Sequence, residues 1–169
     1  RCPISLRLSL LLALLLVLSG CAVKPFVVDQ TAQALAGPSM SNEDDLQLAR
    51  EASAFYLKFS ESVLQETPGH LKLAEAVSAG FTQYAYAFVA FEAEKIDAQN
   101  PTAAADMRAR AARMYARAHR HAMTALERSR SGFAAALRST DAEKHPRLTQ
   151  AQVPTAYWAA ASLGGLISM

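Results

Sequence analysis

The sequence predicts an all-α protein built as antiparallel helical hairpins, a degenerate TPR-like array, and three observations carry that reading. Val77–Phe91, VSAGFTQYAYAFVAF, runs fifteen residues without a charge. At about 1.5 Å per residue that is roughly 22 Å of helix, short of the ~30 Å core of a bilayer. Pro68-Gly69 and Asn100-Pro101 punctuate the chain on either side of it, each followed by a new apolar periodicity. Runs of β-branched residues are nearly absent, so strand signals are poor.

The chain divides into a leader at 1–20, a tether at 21–41 and a helical domain at 42–169. Arg1 and Arg7 precede an apolar run from Leu8 to Leu18, the pattern of a secretory signal. It ends in Leu18-Ser19-Gly20-Cys21, which resembles a bacterial lipobox: a small residue before the scissile bond, then a thiol to take diacylglycerol. Cys21 is therefore the expected lipidation site, and the domain is expected to be anchored to a membrane rather than to span it. Cys2 falls in the discarded leader, which leaves one cysteine and excludes a disulfide framework or a thiolate zinc site. Removing Arg1 and Arg7 leaves fifteen basic side chains against fifteen acidic ones. A neutral mature chain has no electrostatic case for nucleic-acid binding. Ala22, in place of an aspartate, leans towards the outer membrane. Both ends read as cut: Arg1 is not a methionine, and Leu166-Ile167-Ser168-Met169 stops inside an apolar pattern.

After a tether punctuated by Pro25 and Gly37-Pro38, Ser41 reads as an N-cap with Glu43, Asp44 and Asp45 in the first turn. The helix over about 42–66 is expected to bury Leu48, Ala52, Phe55, Phe59, Ser62 and Val63. The central helix over about 70–98 sets Val77, Phe81, Tyr84, Phe88 and Phe91 on one aromatic face. Its other face, Ala76, Gly80, Gln83 and Ala87, is mostly small and suits a closely docked neighbour. Asn100 caps a third helix over about 101–128, with proline at its first position. Met107, Ala111, Met114, Ala118, Ala122 and Ala125 make its packing stripe; Arg110, Arg113, Arg117 and Arg120 make a basic one. That basic stripe is either a solvated face, a surface for an acidic partner or anionic ligand, or satisfied by acids on the first two helices. Ser131-Gly132 and His145-Pro146 break the next stretch. Thr149 and Gln152 form a capping box for a last helix carrying Tyr157, Trp158, Leu163 and Ile167.

No catalytic constellation is present: no G-x-S-x-G, no H-E-x-x-H, no glycine-rich phosphate loop. His119 and His121 are two apart on a helix and point to different faces, as do Glu92 and Glu94. Ser78 and Ser162 have no base nearby in sequence. The expectation is a non-enzyme without cofactor or metal.

GFTQYAYAFVAFEAE at 80–94, ARMYARAHRHAMTALE at 112–127 and VPTAYWAAASLGGLIS at 153–168 follow an acidic opening, EDDLQLAREASAFYLKFSESVL. Together with the lipobox they resemble the T-component (TatT) lipoproteins of TRAP transporters, over about 43–169. The resemblance implies a TPR-like lipoprotein facing the periplasm, assembled as a trimer. It also implies a partner, the TRAP solute-binding protein, and a hydrophobic or organic-acid ligand. Tyr86 and Trp158, each an apolar body with a polar handle, are the ligand-binding candidates. Arg110, Arg113, Arg117 and Arg120 are the partner-binding candidates. A TPR-like scaffold of envelope assembly is the rival reading, and an aromatic pocket with a polar mouth would favour transport over it.

Overall fold

The computed structural model describes residues 27–36 and 43–169, and helix is the only regular secondary structure among them. A short helix α1 spans 27–35. After it come α2 (Leu46–Glu66), α3 (Leu71–Ala85), a π-helical turn (Tyr86–Ala90) that runs straight into α4 (Phe91–Ile96), α5 (Pro101–Ser129), α6 (Phe133–Leu137) and α7 (Val153–Ile167). A 3-10 turn at Ala142–Lys144 lies between α6 and α7. The all-α fold class holds. The packing order, α2 on α3, α3 on α5 and α5 on α7, is compatible with TPR-like stacking.

Local signals set the helix ends. Asp45 caps α2, its carboxylate accepting from the Gln47 and Leu48 amides at 2.9 and 3.1 Å. The acidic cluster therefore precedes the helix instead of filling its first turn, and Ser41 lies outside the described residues. His70 Nδ1 accepts from the Leu73 amide at 3.1 Å to start α3. Asn100 accepts from Ala103 at 3.0 Å, with Pro101 opening α5. Gly132 turns the chain after α5 at φ 80, where only glycine is unstrained. Glu127 clamps that turn by accepting from the Gly132 and Ala134 amides at 2.6 and 2.8 Å. Gln152 Oε1 accepts from the Thr149 amide, which makes half of the expected capping box.

The core follows α3 and α5. Leu73, Val77, Phe81, Tyr84 and Val89 are buried on one side, against Ala111, Tyr115, Ala118 and Ala125 on the other. A smaller cluster of Ala122, Leu126, Phe133 and Ala159 joins α5, α6 and α7. Ser78 donates to the Ala118 carbonyl at 3.0 Å and Ser162 to the Trp158 carbonyl at 2.7 Å, so both buried hydroxyls are spent on backbone.

Two expectations about faces are corrected, those for α2 and for the central helix. In α2, Phe55 is 75 % exposed, and Leu48, Ala52, Phe59 and Ser62 also face solvent; Leu57, Ser60, Glu61 and Leu64 go inward. Gly80 sets this rotation, because a Cβ there would collide with the side chain of Leu57. The small-residue face of the central helix does admit a close neighbour, and Leu57 is the group that fills it. In the central helix, the Phe91 amide bonds back to the Tyr86 carbonyl, five residues earlier. That extra residue in the turn rotates the C-terminal part of the helix by about 100°. Phe91 leaves the aromatic face and is 46 % exposed, while Val89 and Ala90 are buried. In α7, Thr155, Ala159 and Ser162 pack inward and Tyr157, Leu163 and Ile167 face out.

Part of the span read as tether is helical and docked. Ala32 of α1 is fully buried, Leu35 joins the core, and the Tyr56 hydroxyl donates to the Leu35 carbonyl. At its other end Asp29 lies 3.9 Å from His70 Nε2, beside the α2–α3 turn.

Candidate functional site

The N-terminal half of α2 stands off from the end of α3, and the space between is a groove of about 1020 Å³. Its floor comes from the π turn and its flanks: Tyr84, Tyr86, Ala87, Phe88 and Phe91. Leu46 and Ala54 close the α2 side, and Arg50, Glu51, Glu92 and Lys95 ring the mouth. The π turn re-aims Phe91 out of the core and onto this floor, beside Tyr86 and Ala87, which face outward from the end of α3. Tyr84 and Phe88 sit with ring centres 5.1 Å apart, and the Lys95 ammonium lies 4.6 Å above the Phe91 ring.

The mouth is charge-balanced but not evenly partnered. Lys95 pairs with Glu92 at 2.8 Å, and Gln47 donates to Glu51 at 3.1 Å. The Lys95 hydrogen bond, with Arg50's charge beyond it, holds the Glu92 carboxyl below its ordinary range. Arg50 itself makes no hydrogen bond or ion pair within the described residues. The groove is thus an aromatic floor under a rim of mixed charge, in which the Arg50 guanidinium feels the Glu92 carboxylate without bonding to it. Behind the floor, burial pushes the Tyr115 phenol above its ordinary pKa, and nearby Tyr86 adds to the effect.

A second polar feature lies deeper. Glu61 is fully buried between α2 and α5, where Arg117 grips its carboxylate with two N–H groups. His121 Nε2 lies 2.7 Å from the same carboxylate and Lys58 Nζ 2.6 Å away. The Arg117 guanidinium also stands 5.0 Å over the Phe81 ring. Burial works against the Glu61 charge. The hydrogen bonds from Arg117, Lys58 and His121 outweigh it and hold the carboxyl down at about 2.

Of the residues singled out from sequence, the structure brings Tyr86 to the groove. Trp158 is elsewhere, half-buried on α7 and edge-on to Tyr157 at 5.1 Å. The two do not share a cleft among the described residues. Arg117 is bound internally, while Arg110, Arg113 and Arg120 are exposed along α5. Cys21 lies outside the described residues. His119 Nδ1 bonds to the Ala159 carbonyl at 2.9 Å and His121 reaches Glu61, so the two rings do part company. Sequence reasoning missed Glu61, Arg50 and Lys95. Arg117 and His121, one turn apart on a helix with an acidic neighbour to find, were the available signal for the first. Nothing local marks the other two.

Among the described residues no helix is long and apolar enough to cross a membrane, and no three His, Cys, Asp or Glu are placed to hold a metal. Fold and groove together make an all-α module with an aromatic groove. Residues 42–169 match the TRAP transporter T-component family, and the chain belongs to it. That family is an accessory of TRAP transport systems of the cell envelope and not an enzyme family. An uncharacterized protein of Treponema pallidum (strain Nichols) is 32% identical over 122 residues, 70% of this chain. The match spans only 38% of that protein's own length.

Proposed function

We propose that this chain is a lipoprotein, anchored through acyl chains on Cys21 and facing the periplasm, that serves the solute-binding protein of a TRAP system and carries an apolar or organic-acid ligand. Assembly as a trimer and residence in the outer membrane belong to the same reading, on the strength of the family resemblance and of Ala22. The observation that carries the ligand role is the groove: four aromatic rings beneath a charged mouth, in which Arg50 makes no hydrogen bond or ion pair among the described residues. An aromatic cleft with a polar mouth supports transport over a scaffold role in envelope assembly. Within it Tyr86 contributes the ring and hydroxyl expected of a ligand contact; Trp158 is too removed to join it.

The test is extraction of small molecules from the lipoprotein purified from its native membranes, beside an Ala87→Trp variant that fills the groove. A bound apolar acid present at near-stoichiometric amounts in the first and lost in the second is the expected result. Equal recovery from both, or none from either, would remove the groove from the account.

A further inference from the structure

Helix α5 carries six arginines and no lysine between Pro101 and Ser129. At 100° per residue, Arg110, Arg113, Arg117, Arg120 and Arg128 fall within an arc of about 80°, and Arg110 to Arg128 is about 27 Å of axis. Glu61 occupies Arg117. Arg110, Arg113, Arg120 and Arg128 remain exposed and make no hydrogen bond or ion pair within the described residues. Asp106, exposed one turn before Arg110, falls within the same arc and offsets one charge, and across from them α2 offers Lys58, itself drawn to Glu61; the balance on this face stays positive although the mature chain is neutral. Guanidinium groups present planar paired donors matched to carboxylates, and they are the cations favoured at protein interfaces.

The stripe's direction separates two anionic partners. The α2–α3 turn meets the far end of α5, with Gly69 against the Arg128 side chain, and α1 begins beside the same turn through Asp29 and His70. Six residues from Cys21 to α1 reach at most about 21 Å. The Cys21 lipid is thus tied nearest the Arg128 end, and a domain standing end-on to the bilayer keeps the rest of the stripe away from it. Arg110 stands about 27 Å further along the axis, several Debye lengths away at physiological salt.

We infer that the Arg110–Arg113–Arg120 face of α5 is the docking surface for an acidic, carboxylate-rich face of the partner protein, and not a contact with lipid headgroups. This rests on the transport reading, with the solute-binding protein as that partner. The stripe is distinct from the groove, so one chain holds a partner and a ligand on separate surfaces.

The experiment measures binding of the purified TRAP solute-binding protein to the full lipoprotein in detergent at low and high salt. Wild type is expected to lose about tenfold in affinity between the two salts. Arg110→Glu/Arg113→Glu/Arg120→Glu is expected to lose about 30-fold at low salt. Reversals elsewhere on the surface, Arg138→Glu/Arg147→Glu, should leave binding unchanged, and matched circular dichroism confirms the fold. Binding that survives the triple reversal overturns the docking face and leaves the transport reading intact. No binding by wild type overturns the transport reading and this surface with it. Adhesion of the Cys21→Ser chain to phosphatidylglycerol vesicles, lost when the triple reversal is added, assigns the stripe to lipid and overturns the inference.

Discussion

Replacing Glu61 with glutamine keeps the shape of the α2–α5 tie and removes its charge. In the fold that carboxyl is lowered from 4.5 to about 2, against the pull of its own burial. A depression of that size corresponds to about 3 kcal/mol of stability, less a discount because Lys58 is well exposed and screened, so about 2–3 kcal/mol. The folded pKa lies below the unfolded one. The contribution is therefore complete above about pH 5 and is lost as pH falls through about 2. Urea unfolding followed by far-UV circular dichroism at pH 7, 5, 3.5 and 2 reads this directly on the Cys21→Ser form. Glu61→Gln should be about 2–3 kcal/mol less stable than wild type at pH 7, and the two should converge by pH 2. Equal stability at pH 7, or a gap that does not close in acid, would refute the claim that Glu61 is a charged tie.

Other expectations come from packing. Phe81, 4 % exposed, should cost about 3–5 kcal/mol on truncation to alanine, whereas Phe91→Ala should stay within about 0.5 kcal/mol, both read by denaturant midpoint. Gly165→Ala drives a Cβ to 2.5–2.7 Å from the buried Tyr115 ring and should destabilise by about 1–3 kcal/mol. Gly164→Ala meets nothing within 4 Å and should stabilise by up to about 1 kcal/mol, so the two melts should move in opposite directions. Ser60 Oγ is buried without a hydrogen-bond partner, and Ser60→Ala should raise stability by about 1 kcal/mol in the same assay.

Features that depend on neighbours a turn away were legible in the sequence. Asn100-Pro101, Pro68-Gly69 and Ser131-Gly132 punctuate the chain where their short-range chemistry says they should. The alanine and methionine stripe of α5 packs as its period indicates, because that helix is amphipathic in the ordinary sense. The face of α2 was not legible, since it turns on two long-range facts: Leu57 entering the notch at Gly80, and Glu61 being neutralised from α5. A single-helix pattern ranks Phe55 above Glu61 for burial, and only a partner 56 residues away reverses that order. The π turn was equally hidden, because it is one slipped hydrogen bond in a run of apolar residues that would satisfy either register. The groove depends on both hidden facts. Its aromatic floor is written in the sequence, and so is the outward side that Tyr86 takes, but the rotation that exposes Phe91 is not.

Service to a TRAP solute-binding protein is tested by crosslinking the full protein in its native membranes and identifying the proteins joined to it. The solute-binding protein is expected as the main crosslinked species, held through the arginine face of α5. Recovery of assembly or cell-wall proteins alone would contradict it and leave a helical scaffold in its place.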